Sequence, residues 1–223
     1  MTWLRLLPFV KRYQPMPDVA IIGGGPAGST LARLLGTRYE VLVADRRRLR
    51  SPPGTRSPRK CCGGLLAPDA QRMLATLGLG LPRYALVDPQ LFAVRVLDLA
   101  RNRERFYQRF YMNLDRERFD RWLASLVPPS TEFLDGALFL SADPTPDGWR
   151  IRLRREGLVI ERVAKILVGA DGAWSRVRRL LLPGAPDPAS YFAPQTWFET
   201  ENVSRWHGCV VVATERKIRV RRP

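Results

Sequence analysis

The sequence predicts an α/β fold: a parallel sheet with a largely antiparallel region inserted into it. Three observations point there. Asp18-Val19-Ala20-Ile21-Ile22 is a short β-rich run ending at glycines; Pro26 to Gly36 then has the small and apolar residues of a helix, and Glu40 to Ala44 is a second apolar run. Strands buried on both faces read as continuous apolar runs, and a helix joining two of them marks a parallel pair covered on both faces. A second strand-turn-helix pattern, KILVGADGAWSRVRR, recurs at 165 to 179, and the stretches between are mostly β-like.

Taken in order, MTWLRLLPFVKRYQPMP at 1–17 is partly apolar but interrupted at Arg5, Pro8 and Lys11, so it lacks a signal-peptide core. It reads as a loose extension, and as a candidate membrane-surface contact. Arg46 to Pro58, rich in arginine, proline and serine, reads as a loop. Pro68 to Leu77 is helical, with Gly78 and Gly80 as stop signals. AVRVLDL at 93–99 and RFYQRFYM at 105–112 read as strands. In the second, Phe106, Gln108 and Phe110 share one face, and Tyr107, Arg109 and Tyr111 the other. Asp115 to Leu126 is an amphipathic helix with Phe119, Trp122, Leu123 and Leu126 on one face. TEFLDGALFL at 131–140, WRIRLRR at 149–155 and KILVGA at 165–170 continue as strands, and Ala173 to Leu181 turns helical. Trp122, Trp174 and Trp197 read as core or cleft-wall aromatics. SYFAPQTWFETE at 190–201 and GCVVVAT at 208–214 have strand character, after which ERKIRVRRP stops without a closing element.

Composition removes several classes of function. At 45% hydrophobic and 26% charged the chain is globular in character, and its three cysteines cannot supply a disulfide framework. No CxxC occurs, and the single histidine, His207, has only Cys209 near it, so a zinc site is not expected. An intracellular, cytoplasmic setting is the default for such cysteine usage. The net charge of +16 attracts phosphorylated ligands, anionic lipid or nucleic acid, but no specific nucleic-acid binding is expected.

The first informative motif is Gly23-Gly24-Gly25-Pro26-Ala27-Gly28, a GxGxxG directly after a strand and at the head of a helix. Gly23 permits the tight turn, Gly25 lets backbone amides approach a pyrophosphate, and Gly28 allows close helix packing. The helix N-terminus favours the phosphates. Asp45 ends the second strand, where a carboxylate can accept the ribose hydroxyls. Together these predict dinucleotide binding. The plainer alternative is a turn with Asp45 as a solvated cap. Arg46 either lies along the adenosine or faces solvent. A carboxylate at 45 opposes a 2′-phosphate, which argues against NADPH as the resident dinucleotide, although the arginines at 46 to 48 are a counterweight.

The run at 165–179 resembles the DG motif of the glutathione-reductase-type, p-hydroxybenzoate-hydroxylase-like flavoproteins, carried here by Gly169, Asp171 and Gly172. The resemblance implies a glutathione-reductase-type FAD/NAD(P)-binding fold with an inserted, incomplete antiparallel substrate-domain sheet, and an aspartate region that contacts nucleotide and flavin. Lys60-Cys61-Cys62-Gly63-Gly64 resembles the KxCGG element of the geranylgeranyl reductase family, flavoproteins that reduce isoprenoid double bonds with reduced FAD. LDRERFDRWLASL at 114–126 is similar to that family's R-x-x-F/L-D-x-x-L stretch through Arg116, Phe119, Asp120 and Leu123, and the similarity places Arg116 near the cofactor. Gln195-Thr196-Trp197-Phe198-Glu199 resembles a strand of the family's catalytic domain, so the resemblance runs from about 18 to 199.

It implies FAD as cofactor and NAD(P)H as a transient electron donor, with an isoprenoid or other apolar substrate. Cofactor contacts are expected at Gly23, Gly25, Pro26, Ala27, Gly28, Asp45, Arg46, Gly63, Gly64, Arg116, Gly169, Asp171 and Gly172. Cys62 is the catalytic candidate: it orients substrate, touches flavin or delivers a proton, or else it packs at the cleft as a small hydrophobe or does redox or metal work. Cys61 is less tied to the pattern, and a disulfide between such neighbours is strained. The expected domains are an extension at 1–17, an FAD-binding domain at 18–92 and 113–182, a partial substrate domain at 93–112 and 183–199, and a divergent tail at 200–223. The family's later GD motif does not follow the DG turn, so an N-terminal fragment, inactive through truncation, is the expectation. A flavin-dependent aromatic hydroxylase and a catalytically silent nucleotide-binding or partner protein are the competing readings.

Overall fold

The computed structural model describes residues 16–52, 62–88, 90–98, 101–186 and 188–189. The expectations for 1–15, Lys60, Cys61, Trp197 and both late strands lie outside the described residues. In chain order the elements are β1 (Val19–Ile22), α1 (Pro26–Leu35), β2 (Val41–Asp45), β3 (Leu65–Leu66), α2 (Pro68–Thr76), a 3-10 turn (Arg83–Ala85), β4 (Leu91–Asp98), β5 (Arg103–Asn113), α3 (Arg116–Ser125), β6 (Glu132–Asp135), β7 (Leu138–Thr145), β8 (Gly148–Arg155), β9 (Leu158–Ala164), β10 (Ile166–Gly169) and α4 (Arg176–Leu181). Two compact units result, one from residues 1–57 with 123–186 and one from 58–122 with 187–223.

The first unit is built on a parallel sheet in the order β10-β1-β2-β6. Alternate residues of β1 and β2 point to opposite faces, and each face has its own cover. Ala20, Ile22, Leu42 and Ala44 pack with Leu134 against Phe139, Ala142, Ile151, Leu153 and Ala164. The last five belong to the antiparallel meander β7-β8-β9. Val19, Ile21, Val41 and Val43 face the other way, onto Ala32 of α1 and Val127. The sheet is therefore covered on both faces as expected, by a helix on one and a small β-sheet on the other. Ile21 and Leu42 are fully buried, so cutting either to alanine costs about 2–5 kcal/mol.

The run at 131–140 is two strands in two sheets, because Gly136 turns the chain at φ +70 between β6 and β7. β9 was not anticipated. It is joined to β8 by Glu156 and Gly157 at φ 53 and 83, the paired positive values of a type I′ hairpin turn. The second unit holds the antiparallel sheet β3-β5-β4, inserted in sequence between β2 and β6. In β5 both Phe106 and Phe110 are more than half exposed, at 55% and 57%.

Candidate nucleotide and thiol sites

The glycine loop joins β1 to α1 under tight steric limits. Gly23 has φ +108, and a Cβ there would stand 2.3 Å from the Ala170 carbonyl oxygen. A Cβ on Gly28 would stand 1.8 Å from the Gly23 carbonyl oxygen, so helix and strand meet at a separation only glycine allows. Pro26 opens α1 at its first turn, and the N-cap, Gly25, supplies no side-chain hydrogen bond. First-turn amides without a side-chain cap are donors for an anion. Ser29, buried one turn on, donates from Oγ to the Gly24 carbonyl at 2.8 Å and braces the loop from within. Ala27 is exposed at the helix head.

Asp45 ends β2 and is buried, with 6% exposure. Its Oδ2 accepts from the Gly24 amide at 2.7 Å, tying the glycine loop to the second strand. Its Oδ1 accepts from the Arg47 amide at 2.7 Å, and the Arg47 guanidinium adds contacts at 3.3 and 3.4 Å. Arg46, the residue between them, is exposed. Arg47 Nη2 also lies 3.6 Å from where a Cβ on Gly25 would stand, which places the cation over the glycine loop. Beyond the loop, Asp135 accepts from the Leu49 and Arg50 amides at 2.8 Å each and from Ser51 Oγ at 3.2 Å.

In the DG turn, Asp171 accepts from Ser175 Oγ at 2.5 Å and from the Arg176 and Val177 amides at 2.6 and 3.3 Å. Its carboxylate thus caps α4 and fixes the turn. Gly169 lies against Val177, with a Cβ 2.9 Å away, and Gly172 sits at φ +89 with open space around it. Trp174 is 74% exposed, which removes the core alternative from its expected place in the core or on a cleft wall.

The second unit brings two sequence-distant residues together. Gly64, at φ +72, accepts from the Leu114 amide through its carbonyl oxygen at 2.8 Å, and a Cβ on it would meet the Leu114 carbonyl oxygen at 2.2 Å. Cys62 precedes that contact by two residues and Arg116 follows it by two. Arg116 Nη1 consequently reaches Cys62 Sγ at 3.8 Å, across 54 positions of sequence. Arg116 Nε donates to Asp120 Oδ1 at 2.7 Å, one helical turn on. Burial acts to lower the Arg116 pKa; the hydrogen bond and charge of Asp120, with a smaller contribution from Cys62, outweigh it and hold the guanidinium above its ordinary value. Cys62 is half-buried and Gly63 exposed.

Residues 16–207 match the FAD binding domain family. The chain belongs to that family. FAD is accordingly its cofactor, and the loop fits the group: uncapped amides for a pyrophosphate, glycines where a Cβ would intrude, and a strand-end carboxylate. This FAD binding domain is 42% identical over 193 residues to Protein CbrA of Escherichia coli O157:H7 and to Protein CbrA of Shigella sonnei. Each match covers 86% of this chain and 53% of the relative, so the chain spans about half the length of the curated relatives it matches.

Among solved structures, a geranylgeranyl bacteriochlorophyll reductase-like protein from Thermoplasma acidophilum has a TM-score of 0.57 at 22% identity, over 70% of this chain and 39% of that one. The flavin-dependent monooxygenase PieE, in complex with FAD and substrate, has a TM-score of 0.59 at 21% identity, over 75% and 32%. These likenesses show the fold, and the family match makes it an α/β FAD/NAD(P)-binding architecture related to glutathione reductase, with an inserted antiparallel sheet. No helix among the described residues is long and apolar enough to cross a membrane.

Sequence reasoning missed Arg47 and Asp135. Arg47 had a signal, since an aspartate at the end of a strand readily accepts from the amide two residues on in an Asx-turn. Asp135 had none in its local sequence.

Proposed function

We propose that this FAD binding domain is part of a flavin-dependent reductase of isoprenoid double bonds, in which Cys62 serves at the reacting carbons. The observation that carries this reading is the meeting of Cys62 with Arg116, because it joins the KxCGG cysteine to the arginine of the second motif through a directed contact at 3.8 Å. When bound, FAD supplies the hydride chemistry, with NAD(P)H as transient donor.

The chain's own residues bind and orient. The loop from Gly23 to Gly28, with the amides at the head of α1, holds the pyrophosphate. Asp45 takes the ribose hydroxyls through lone pairs beside those used by Gly24 and Arg47, and Arg47 offsets its charge. Arg46 lies outside that carboxylate, along the adenosine edge. Gly169, Asp171 and Gly172 shape the turn where the dinucleotide continues, with Asp171 keeping that turn rigid. The Gly63-Gly64 pair has no side chains and leaves room for a planar ring. Adding hydrogen to an alkene needs hydride at one carbon and a proton at the other, and Cys62 Sγ holds the proton. Arg116 fixes the direction of the sulfur. The basic, partly apolar segment before Met16 supports contact with the membrane surface where a prenyl lipid resides.

The test is anaerobic photoreduction of FAD on the purified chain followed by a prenyl lipid. A product two hydrogens heavier, formed at least about tenfold more slowly by Cys62→Ser, supports the reading. Oxygen-dependent hydroxylation of an aromatic substrate with no alkene reduction would replace it with the hydroxylase, and FAD binding with neither reaction would replace it with a silent nucleotide-binding protein.

A further inference from the structure

We propose that Asp120 is a positioning residue for the Cys62 thiol, acting through the guanidinium of Arg116. The inference rests on the reading in which Cys62 works at the reacting carbons. Asp120 lies in α3 among Phe119, Trp122 and Leu123, all buried, and its own side chain has no exposed surface. A carboxylate is not kept in such surroundings for packing, since leucine or methionine would serve better there. It faces Arg116, whose side chain is 21% exposed, so the pair is anchored at the Asp120 end and open at the Arg116 end.

A guanidinium is planar and presents its donors in a fixed fork. With Nε held on Asp120 Oδ1 at 2.7 Å, the plane is set, and Nη1 points in one direction, the one in which Cys62 Sγ stands 3.8 Å away. The Gly64–Leu114 hydrogen bond ties together the two backbone segments that carry Cys62 and Arg116. Remove the acid and Arg116 regains its torsional freedom; the cation stays near the thiol, but the direction is lost. Lysine at 116 keeps a charge beside Asp120 and gives up the second directed donor.

Alkylation at sulfur depends on where the sulfur stands and how it can be approached, and the Arg116 N–H fixes its place. Alkylation of Cys62 by iodoacetamide therefore reads the contact without any flavin turnover. The test uses the full 223-residue chain carrying Cys61→Ser and Cys209→Ser, so that Cys62 is the remaining thiol. Asp120→Asn and Arg116→Lys are each expected to slow alkylation by about fivefold to tenfold at fixed pH, with Arg116→Lys changing the melting temperature little. A folded Asp120→Asn that reacts at the parent rate overturns the proposal. If that variant does not fold, Arg116→Lys decides: an unchanged rate overturns it and a slowed rate supports it. Slowed alkylation together with a fully active Cys62→Ser would leave the positioning standing and remove Cys62 from the reacting carbons.

Discussion

Asp45 and Asp135 are register partners at the C-terminal ends of the adjacent parallel strands β2 and β6, and both carboxylates grip the segment that leaves β2. Asp45 holds its first turn through Arg47, and Asp135 its second through Leu49, Arg50 and Ser51. Two like charges tolerate this proximity because backbone amides answer each of them, with the Arg47 guanidinium added at Asp45 and the Ser51 hydroxyl at Asp135.

Asp135→Ala leaves two amides without their charged acceptor. A bond of this kind contributes about 1.5–3 kcal/mol, and the one to the Arg50 amide is exposed and worth less, so urea unfolding should register a loss of about 2–4 kcal/mol. FAD affinity should weaken several-fold as the Arg47 loop loosens. Asp135→Asn, which keeps an acceptor oxygen, should recover part of both.

Asp45→Ala removes the acceptor for the Gly24 amide at 2.7 Å and the anchor of Arg47. Loss of one charge-assisted bond in a nucleotide site corresponds to roughly tenfold or more in affinity. Fluorescence titration with FAD, and competition with ADP, should both report it.

The glycines separate by their surroundings. Gly28→Ala pushes a methyl group against the Gly23 carbonyl oxygen and should abolish FAD binding or folding, whereas Gly80→Ala meets nothing within 4 Å and should leave both unchanged. Circular dichroism and FAD titration on the two variants check the contrast.

The Asp18–Lys165 pair, 2.6 Å apart, joins the residue before β1 to the residue before β10. Its hydrogen bond to Lys165, with a second from the Glu40 amide, holds the Asp18 carboxyl below its usual value of 3.8. A depressed carboxyl stabilises the fold above its unfolded pKa and ceases to do so as pH falls through the folded value. The small difference in melting temperature between the parent and Lys165→Met should therefore be present at neutral pH and vanish in strong acid.

Much of the first unit was legible because each feature has a local cause. Continuous apolar runs gave β1 and β2, and GxGxxG at a strand-helix junction gave the loop. The two-layer cover of the sheet was half legible: α1 shows its small and apolar residues, but β9 hides, since Leu158 and Val159 are 71% and 59% exposed and Arg162 is drawn to Glu132 at 2.9 Å. Its signal was the Glu156-Gly157 pair between two β-like runs. Asp120 was visible only as a motif letter; its burial and its partner one turn back depend on α3 packing. Asp135 acts on residues 84 to 86 positions away, and no spacing rule reports that.

The central claim is that the loop from Gly23 to Gly28, tied down by Asp45, holds FAD. Titrating FAD into the purified 223-residue chain tests it most directly. The expected result is saturable binding at one FAD per chain, displaced by ADP and weakened about tenfold or more in Asp45→Ala. Absence of saturable binding, or equal affinity in the parent and a folded Asp45→Ala, would contradict it.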